Sequence, residues 1–285
     1  MTRRVVLLGK PLKRRHSVVM HNAAFAAAGI DGEYVLGEMD EGDVPGAVAA
    51  ARGADHLGLG VTAPYKPLVA SLVDEVEGDA RTIGAVNNVV RTDDARLIGF
   101  NTDAPGFRAA AELAMDQRLL GLDVLVVGAG GAARAAVFAC LAAGVGRVTV
   151  AARDPERARA LLAPWSAVGR AGRRAIDLSG HAMAAALRDV DLAVNATTVG
   201  MVDAGQPFDV AALPDYATVF DCVYVPAETP LVAAARARGL RAANGGEMLI
   251  AQAAIAFERW TGVAGMDGVM RDAVAPLLAD PTVVA

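Results

Sequence analysis

Val124-Leu125-Val126-Val127-Gly128-Ala129-Gly130-Gly131-Ala132-Ala133-Arg134-Ala135-Ala136 reads as a short buried strand that runs through a glycine turn into a helix. The spacing is Gly-x-Gly-x-x-Ala. Gly128 and Gly130 let the backbone turn tightly and approach a pyrophosphate, and the small Ala133 lets the helix pack close to the strand. The helix start offers free N–H groups to an anion. A glycine trio alone would also fit an ordinary strand-to-helix turn. Here residues 123–127 read as strand, 132–143 as helix and 147–151 as the next strand, so the turn sits inside a complete βαβ unit. That context makes it a dinucleotide cradle.

Working outward, the chain before the cradle alternates strands and helices: strand 5–9, helix 18–28, strand 34–36, helix 44–51, strand 57–61 and helix 67–76. Strands 88–91 and 96–99 flank the polar turn Thr92-Asp93-Asp94 and read as a hairpin. A helix from Asp103 to about Leu119 leads into the cradle. After it come strand 148–151, helix 155–162, a strand around Ala175, helix 181–187, strands 191–195 and 218–222, helix 230–238 and a strand near 240–242. The expected class is therefore α/β: an N-terminal α/β domain over 1–103 completed by 246–285, and a doubly wound Rossmann-type dinucleotide domain over 104–245. The tail, 246–260 and 268–278, reads as two helices with no strand between them, returning to the first domain.

The totals narrow the partners. At 285 residues, 54% hydrophobic and 21% charged, the chain suits two compact domains. A net charge of −5 argues against nucleic acid as the main partner. Arg3, Arg4, Lys10, Lys13, Arg14 and Arg15 nevertheless gather near the N-terminus, split by the apolar run 5–8, which fits a small anionic ligand better than an address signal. That run is too short for a signal peptide, and no segment reaches membrane-spanning length without a charge, so a cytoplasmic protein is expected. Cys140 and Cys222, in an apolar helix and at a strand end, suit reduced, buried thiols. His16, His21, His56 and His181 lack metal-ligand spacing, and no metal is expected. Monomer and homodimer both remain open.

Three clusters before the cradle combine polar residues with turn-formers at strand ends, where α/β domains place their sites: residues 60–66, 84–88 and 99–106. Lys66 and Asp103 become candidates for a catalytic pair. A solvated lysine at a helix start is the plainer account of Lys66, although a cation is electrostatically disfavoured there. Asp103 with Pro105 just inside also reads as a helix N-cap.

Together these motifs carry a resemblance. They are Gly9-x-Pro11 with Ser17 and His21-Asn22, Val61-Thr62-x-Pro64-Tyr65-Lys66, Gly84-Ala85-Val86-Asn87, Gly99-x-Asn101-Thr102-Asp103-x-x-Gly106 and the cradle itself. Further on come Asn195-Ala196-Thr197-Thr198-x-Gly200-Met201, Asp221-x-x-Tyr224-x-Pro226-x-x-Thr229-Pro230-Leu231 and Met248-Leu249-x-x-Gln252. The chain resembles the shikimate dehydrogenase family over nearly its whole length. The resemblance implies reversible, NADP-dependent reduction of the ketone of 3-dehydroshikimate, a small anionic polyhydroxylated ring. It further implies that Lys66 and Asp103 are catalytic, that Ser17, Thr62, Asn87 and Gln252 hold the carboxylate and hydroxyls, and that Tyr224 lies near the site. Gly128, Ala129, Gly130, Gly131, Ala132, Arg153, Asp154, Thr197, Gly245 and Met248 would face the coenzyme, although Met248 also reads as core packing. The chemistry is consistent: an ammonium can neutralise and protonate the oxygen of a ketone receiving hydride, and a carboxylate favours the charged lysine.

Two departures from the family pattern touch the pocket. Where two serines usually stand, this chain has Arg15-His16-Ser17-Val18, and Gly60 replaces the asparagine before Val-Thr. If residues 15–17 are extended, Arg15 and Ser17 share a side and Arg15 can grip the carboxylate; turning to solvent like Arg14 is the alternative. The volume freed at Gly60 would admit the arginine or a larger substrate. A quinate or aminoquinate dehydrogenase therefore stays open, as does a non-catalytic nucleotide-binding regulator. The coenzyme is open in the same way: Ala151-Ala152-Arg153-Asp154 keeps an arginine for a 2′-phosphate, whereas Asp154 would repel it if it points inward and is harmless if it caps the helix at Pro155. NADP is expected, with NAD possible.

Overall fold

The computed structural model describes residues 2–279 and divides into two compact units, one formed by residues 2–102 with Ile250–Leu277, the other by Asp103–Leu249 with residues 278–279. The units part at Thr102/Asp103 and Leu249/Ile250, one residue before and four residues after the expected boundaries. Residues 280–285, assigned above to the first domain, lie outside the described residues.

The first unit contains β1 (Arg3–Gly9), α1 (His16–Ala27), β2 (Gly32–Glu38), α2 (Val44–Ala50), β3 (His56–Val61), α3 (Lys66–Ala70), β4 (Glu75–Val76), α4 (Asp79–Ile83), β5 (Asn88–Arg91) and β6 (Leu97–Phe100). Its sheet has the order β2-β1-β3-β5-β6-β4. The first three strands are parallel, joined by helices, whereas β5 runs antiparallel to both β3 and β6 because a tight turn joins β5 to β6. That turn is closed by Thr92 N donating to Arg96 O at 2.9 Å. The hairpin is thus present as expected.

The stretch expected as helix 67–76 is different. The helix stops at Ala70, and residues 75–76 form the edge strand β4, parallel to β6. The cause lies in tertiary partners of Asp74: its carboxylate takes a two-pronged ion pair from Arg52, at 2.6 and 2.9 Å, and accepts from Leu97 N at 2.7 Å. These contacts pull the chain out to the sheet edge. The short α4 that follows was also absent from the sequence-based expectation.

The second unit contains α5 (Asp103–Met115), β7 (Asp123–Val127), α6 (Gly131–Ala143), β8 (Arg147–Ala152), α7 (Pro155–Leu162), β9 (Gly172–Asp177), α8 (Gly180–Arg188), β10 (Leu192–Asn195), β11 (Thr218–Asp221), α9 (Pro230–Ala237) and β12 (Arg241–Asn244). Its sheet is parallel throughout, in the order β12-β11-β10-β7-β8-β9. The chain winds outward from β7 in one direction, then restarts at β10 on the other side of it, which is the doubly wound arrangement with its switch point between β7 and β10. Val124, Leu125, Val126 and Val127 are all buried, as a strand covered on both faces requires. Two further helices, α10 (Gly246–Thr261) and α11 (Asp267–Ala279), close the described chain, and α10 from Ile250 onward and most of α11 belong to the first unit. Among the described residues no helix is long and apolar enough to cross a membrane.

Candidate functional site

Within the second unit a cavity of about 750 Å³ opens at the switch point, beyond the carboxyl ends of β7, β8 and β10. Its floor is the glycine turn from Gly128 to Ala132; its sides include Arg153, Asp154 and Arg157 from the end of β8 and α7, and Ala196, Thr197, Thr198 and Met201 after β10. Gly128 has φ +124°, and a Cβ there would lie 2.7 Å from the carbonyl oxygen of Ala196, so only glycine allows β7 to turn this close to the neighbouring loop. A Cβ at Gly130 or Gly131 would meet nothing within 4 Å, which leaves the space above the turn open. The first N–H groups of α6 point there without intrahelical acceptors. Open glycine backbone, a helix N-terminus and two arginines make a donor set for a phosphorylated dinucleotide.

Asp154 does not point its charge at that space unspent: its Oδ1 accepts from Glu156 N at 2.9 Å and caps α7. Arg153 and Arg157 are exposed on the cavity wall. Arg157 was missed in the sequence reading; its signal was its position four residues after Arg153 at the start of a helix. Thr197 lines the cavity, but its hydroxyl is held inside the loop, donating to Asn195 Oδ1 at 2.7 Å and accepting from Val199 N at 3.1 Å. Gly245 and Met248 do not line this cavity. Gly245 also answers a packing need, since a Cβ there would sit 2.4 Å from Cys222 O. Cys140 is buried and its thiol is pushed up to about 12 by desolvation. Cys222 lines the cavity wall as a half-buried residue, while its thiol is desolvated and pushed well above its ordinary value.

The loops on this wall hang from a buried carboxylate. Asp221, fully buried, accepts from Asn195 Nδ2 at 2.8 Å, Val223 N at 3.0 Å and Thr229 Oγ1 at 2.7 Å. Desolvation nevertheless outweighs these donors and raises its pKa. Thr229 Oγ1 in turn caps α9 by accepting from Val232 N at 3.2 Å. The motif residues Asn195, Asp221 and Thr229 are thus scaffold, and Tyr224 lies half-buried just past them.

In the first unit the polar clusters meet at one end of the sheet. Thr62 N donates to Leu8 O at 2.8 Å just past β3, and Val86 N donates to Lys66 O at 3.1 Å, which ties the start of α3 to the residue before Asn87. Asn87, buried, accepts from Thr102 N through Oδ1 at 2.9 Å and donates to Thr102 Oγ1 at 3.0 Å. Thr102 Oγ1 donates to Gln252 Oε1 at 3.3 Å, and Asn88 Nδ2 reaches both Asn87 Oδ1 and Thr102 Oγ1 at 2.9 Å. Thr102 and Asn88 therefore organise this cluster, roles not assigned from sequence. Lys66 is half-buried at the first position of α3. Asp103 is the first residue of α5, in the second unit. Among the described residues no group of three His, Cys, Asp or Glu side chains could hold a metal ion.

The two pocket departures turn out differently from expectation. Residues 15–17 are not extended: Arg15, exposed, is the N-cap of α1 with φ −105° and ψ 9°, and Ser17 lies in the first helical turn. The argument that Arg15 and Ser17 share a side because they are two apart in an extended chain therefore fails. The volume freed at Gly60 is not empty either. A Cβ on Gly60 would lie 2.4 Å from the Tyr34 hydroxyl and 3.2 Å from Leu7 Cδ1.

The comparisons with known proteins agree with this architecture. The shikimate dehydrogenase substrate binding domain model matches residues 7–89, and the shikimate 5′-dehydrogenase C-terminal domain model matches residues 245–275. A shikimate dehydrogenase (NADP(+)) of Geobacillus kaustophilus is 39% identical, covering 90% of this chain and 91% of its own. The structure of shikimate 5-dehydrogenase from Thermus thermophilus in complex with NADP(H) and shikimate superimposes with a TM-score of 0.84 at 35% identity, covering 96% of this chain and 99% of that one. Quinate dehydrogenase from Corynebacterium glutamicum in complex with NAD superimposes with a TM-score of 0.89 at 34% identity, covering 96% and 99%.

Proposed function

This chain belongs to the shikimate dehydrogenase family, and from that premise we propose that it carries out the reversible, NADP-dependent reduction of 3-dehydroshikimate to shikimate, with Lys66 and Asp103 carrying the chemistry. It is an NAD(P)-dependent oxidoreductase. When bound, the coenzyme supplies the hydride. The glycine turn from Gly128 to Ala132 and the start of α6 hold its pyrophosphate, and Arg153 with Arg157 holds the 2′-phosphate. The capping bond of Asp154 supports this choice of coenzyme, because the carboxylate is engaged by Glu156 N.

On the substrate side, the ammonium of Lys66 neutralises the negative charge that grows on the ketone oxygen and delivers the proton that makes it a hydroxyl. Asp103 is the second acid–base group. Thr62, Asn87 and Gln252 hold the ring hydroxyls, Ser17 the carboxylate, and Tyr224 is a further substrate contact. Neutral amides and hydroxyls suit this role because each can both donate and accept. The observation that carries the reading is the side-chain network joining Asn87, Thr102 and Gln252, with the start of α3 tied beside it through Val86 N donating to the Lys66 carbonyl.

Lys66→Ala tests the assignment. The expected result is a fall of about 10²–10⁴-fold in kcat with NADPH affinity unchanged, measured by fluorescence titration. Near-full turnover by the variant would remove Lys66 from the mechanism.

A further inference from the structure

Tyr34, on β2, is held from several sides. Asn22 pins its backbone on both sides, accepting from Tyr34 N at 2.7 Å and donating to Tyr34 O at 3.1 Å. The His21 ring stacks on it with centroids 4.4 Å apart and planes 22° from parallel, and the Trp260 ring lies 6.0 Å away. The pair His21-Asn22 thus fixes this tyrosine, while the His21 ring also packs on Phe257 and Trp260. The ring is only 3% exposed. Its hydroxyl nevertheless has no hydrogen-bond partner among the described residues. The oxygen is not among the fully buried side-chain atoms left without a partner, so it sits where water or a ligand oxygen can reach it.

The position of the hydroxyl says which. It stands over Gly60, 2.4 Å from where a Cβ would be, so the tip of the phenol fills the place of the side chain that position 60 lacks. Gly60 is directly opposite Asn88 in the antiparallel pairing of β3 with β5. Opposed residues present their side chains on the same face of a sheet, about 5 Å apart. The phenol therefore shares a face with Asn88, whose amide reaches Asn87 and Thr102, and Gly60 beneath it comes two residues before Thr62, which lies just past the end of β3. Burial pushes the phenol well above the ordinary tyrosine range and holds the stacked His21 down at about 3, so near neutral pH both rings are uncharged and the phenol is a permanent donor.

We propose that the Tyr34 hydroxyl is a specificity-determining substrate contact that donates a hydrogen bond to an oxygen of the ring substrate, and that Gly60 is required to admit it. The proposal rests on the shikimate dehydrogenase reading above. In this chain a phenol reaching across from β2 does from one side what a side chain at position 60 would do from the other. The pocket is therefore not enlarged at Gly60; its polar lining has been moved to a stiffer, aromatic support.

Tyr34→Phe keeps the stack and removes one oxygen, so steady-state kinetics of wild type and variant with shikimate and NADP⁺ test the idea. The expected result is a KM for shikimate raised about 5–10-fold, the scale of one neutral hydrogen bond made in ground and transition states alike. KM for NADP⁺ should not change, kcat should stay within about twofold, and the melting temperature should hold or rise. Gly60→Ala, whose methyl displaces the hydroxyl, should raise KM for shikimate in the same way. Wild-type turnover with an unchanged shikimate KM in Tyr34→Phe overturns the proposal alone, as does a loss confined to kcat or a variant that does not fold. A wild type inert toward shikimate overturns the proposed activity and this proposal with it.

Discussion

Thr229→Val should destabilise the second unit far more than an isosteric change normally does. The hydroxyl has two bonds, donating to Asp221 Oδ2 at 2.7 Å and accepting from Val232 N at 3.2 Å, and both Thr229 and Asp221 are fully buried. Losing a donor to a buried carboxylate costs about 1.5–3 kcal/mol, and losing a threonine N-cap costs about 1 kcal/mol. Valine fills the same volume, so no cavity is added, and the sum is about 2.5–4 kcal/mol near pH 7. The cost has a pH signature. The folded pKa of Asp221 is raised above 3.8, so its protonated form contributes stability that is complete below the unfolded pKa and is lost as pH rises through the folded value. The variant should therefore lose least in acid, where the carboxyl is neutral, and most near pH 7. Urea denaturation of wild type, Thr229→Val and Thr229→Ser at two pH values measures this, with Thr229→Ser retaining most of the stability. A loss under about 1 kcal/mol at pH 7 would show that Asp221 finds another donor and would refute the scaffold assignment. Because Asn195 links Asp221 to the loop lining the cavity, KM for NADP⁺ should rise alongside.

Further outcomes follow from the same geometry. Arg153→Ala and Arg157→Ala should each raise KM for NADP⁺ about tenfold while leaving KM for NAD⁺ nearly unchanged, as loss of a charge-assisted phosphate contact would; equal effects on both coenzymes would move these arginines away from the 2′-phosphate. The ion pair and backbone donor around Asp74 hold its carboxyl down at about 2. That lowering contributes stability present above 3.8 and lost as pH falls toward about 2, and Asp74→Asn should flatten the acid limb of the first unit's unfolding curve.

Much of the second unit was legible because its signals are local. Asp154, Pro155 and the apolar period fixed α7 at Pro155–Leu162, and the βαβ pattern with its glycine turn located the cavity before any coordinates. What could not be read depends on residues distant in sequence. Nothing near Asp74 announces Arg52 and Leu97, so the local pattern favoured a helix where the structure has an edge strand. Nothing near Gly60 announces Tyr34, so the missing side chain looked like free volume. Arg15 was misplaced by one local error: α1 begins at His16 rather than Val18, which turns an extended pair into a helix start. Gly245 and Thr197 stand in motifs, yet close backbone approach and a loop hydrogen bond account for them as scaffold.

The central claim is most directly tested by following NADPH or NADH absorbance during oxidation of shikimate and quinate by the wild-type protein with NADP⁺ and, separately, NAD⁺. The account predicts that shikimate with NADP⁺ has the highest kcat/KM of the four combinations and that Lys66→Ala lowers its kcat about 10²–10⁴-fold at unchanged coenzyme affinity. A higher kcat/KM for quinate with NAD⁺, or nucleotide binding without turnover of either acid, would contradict it.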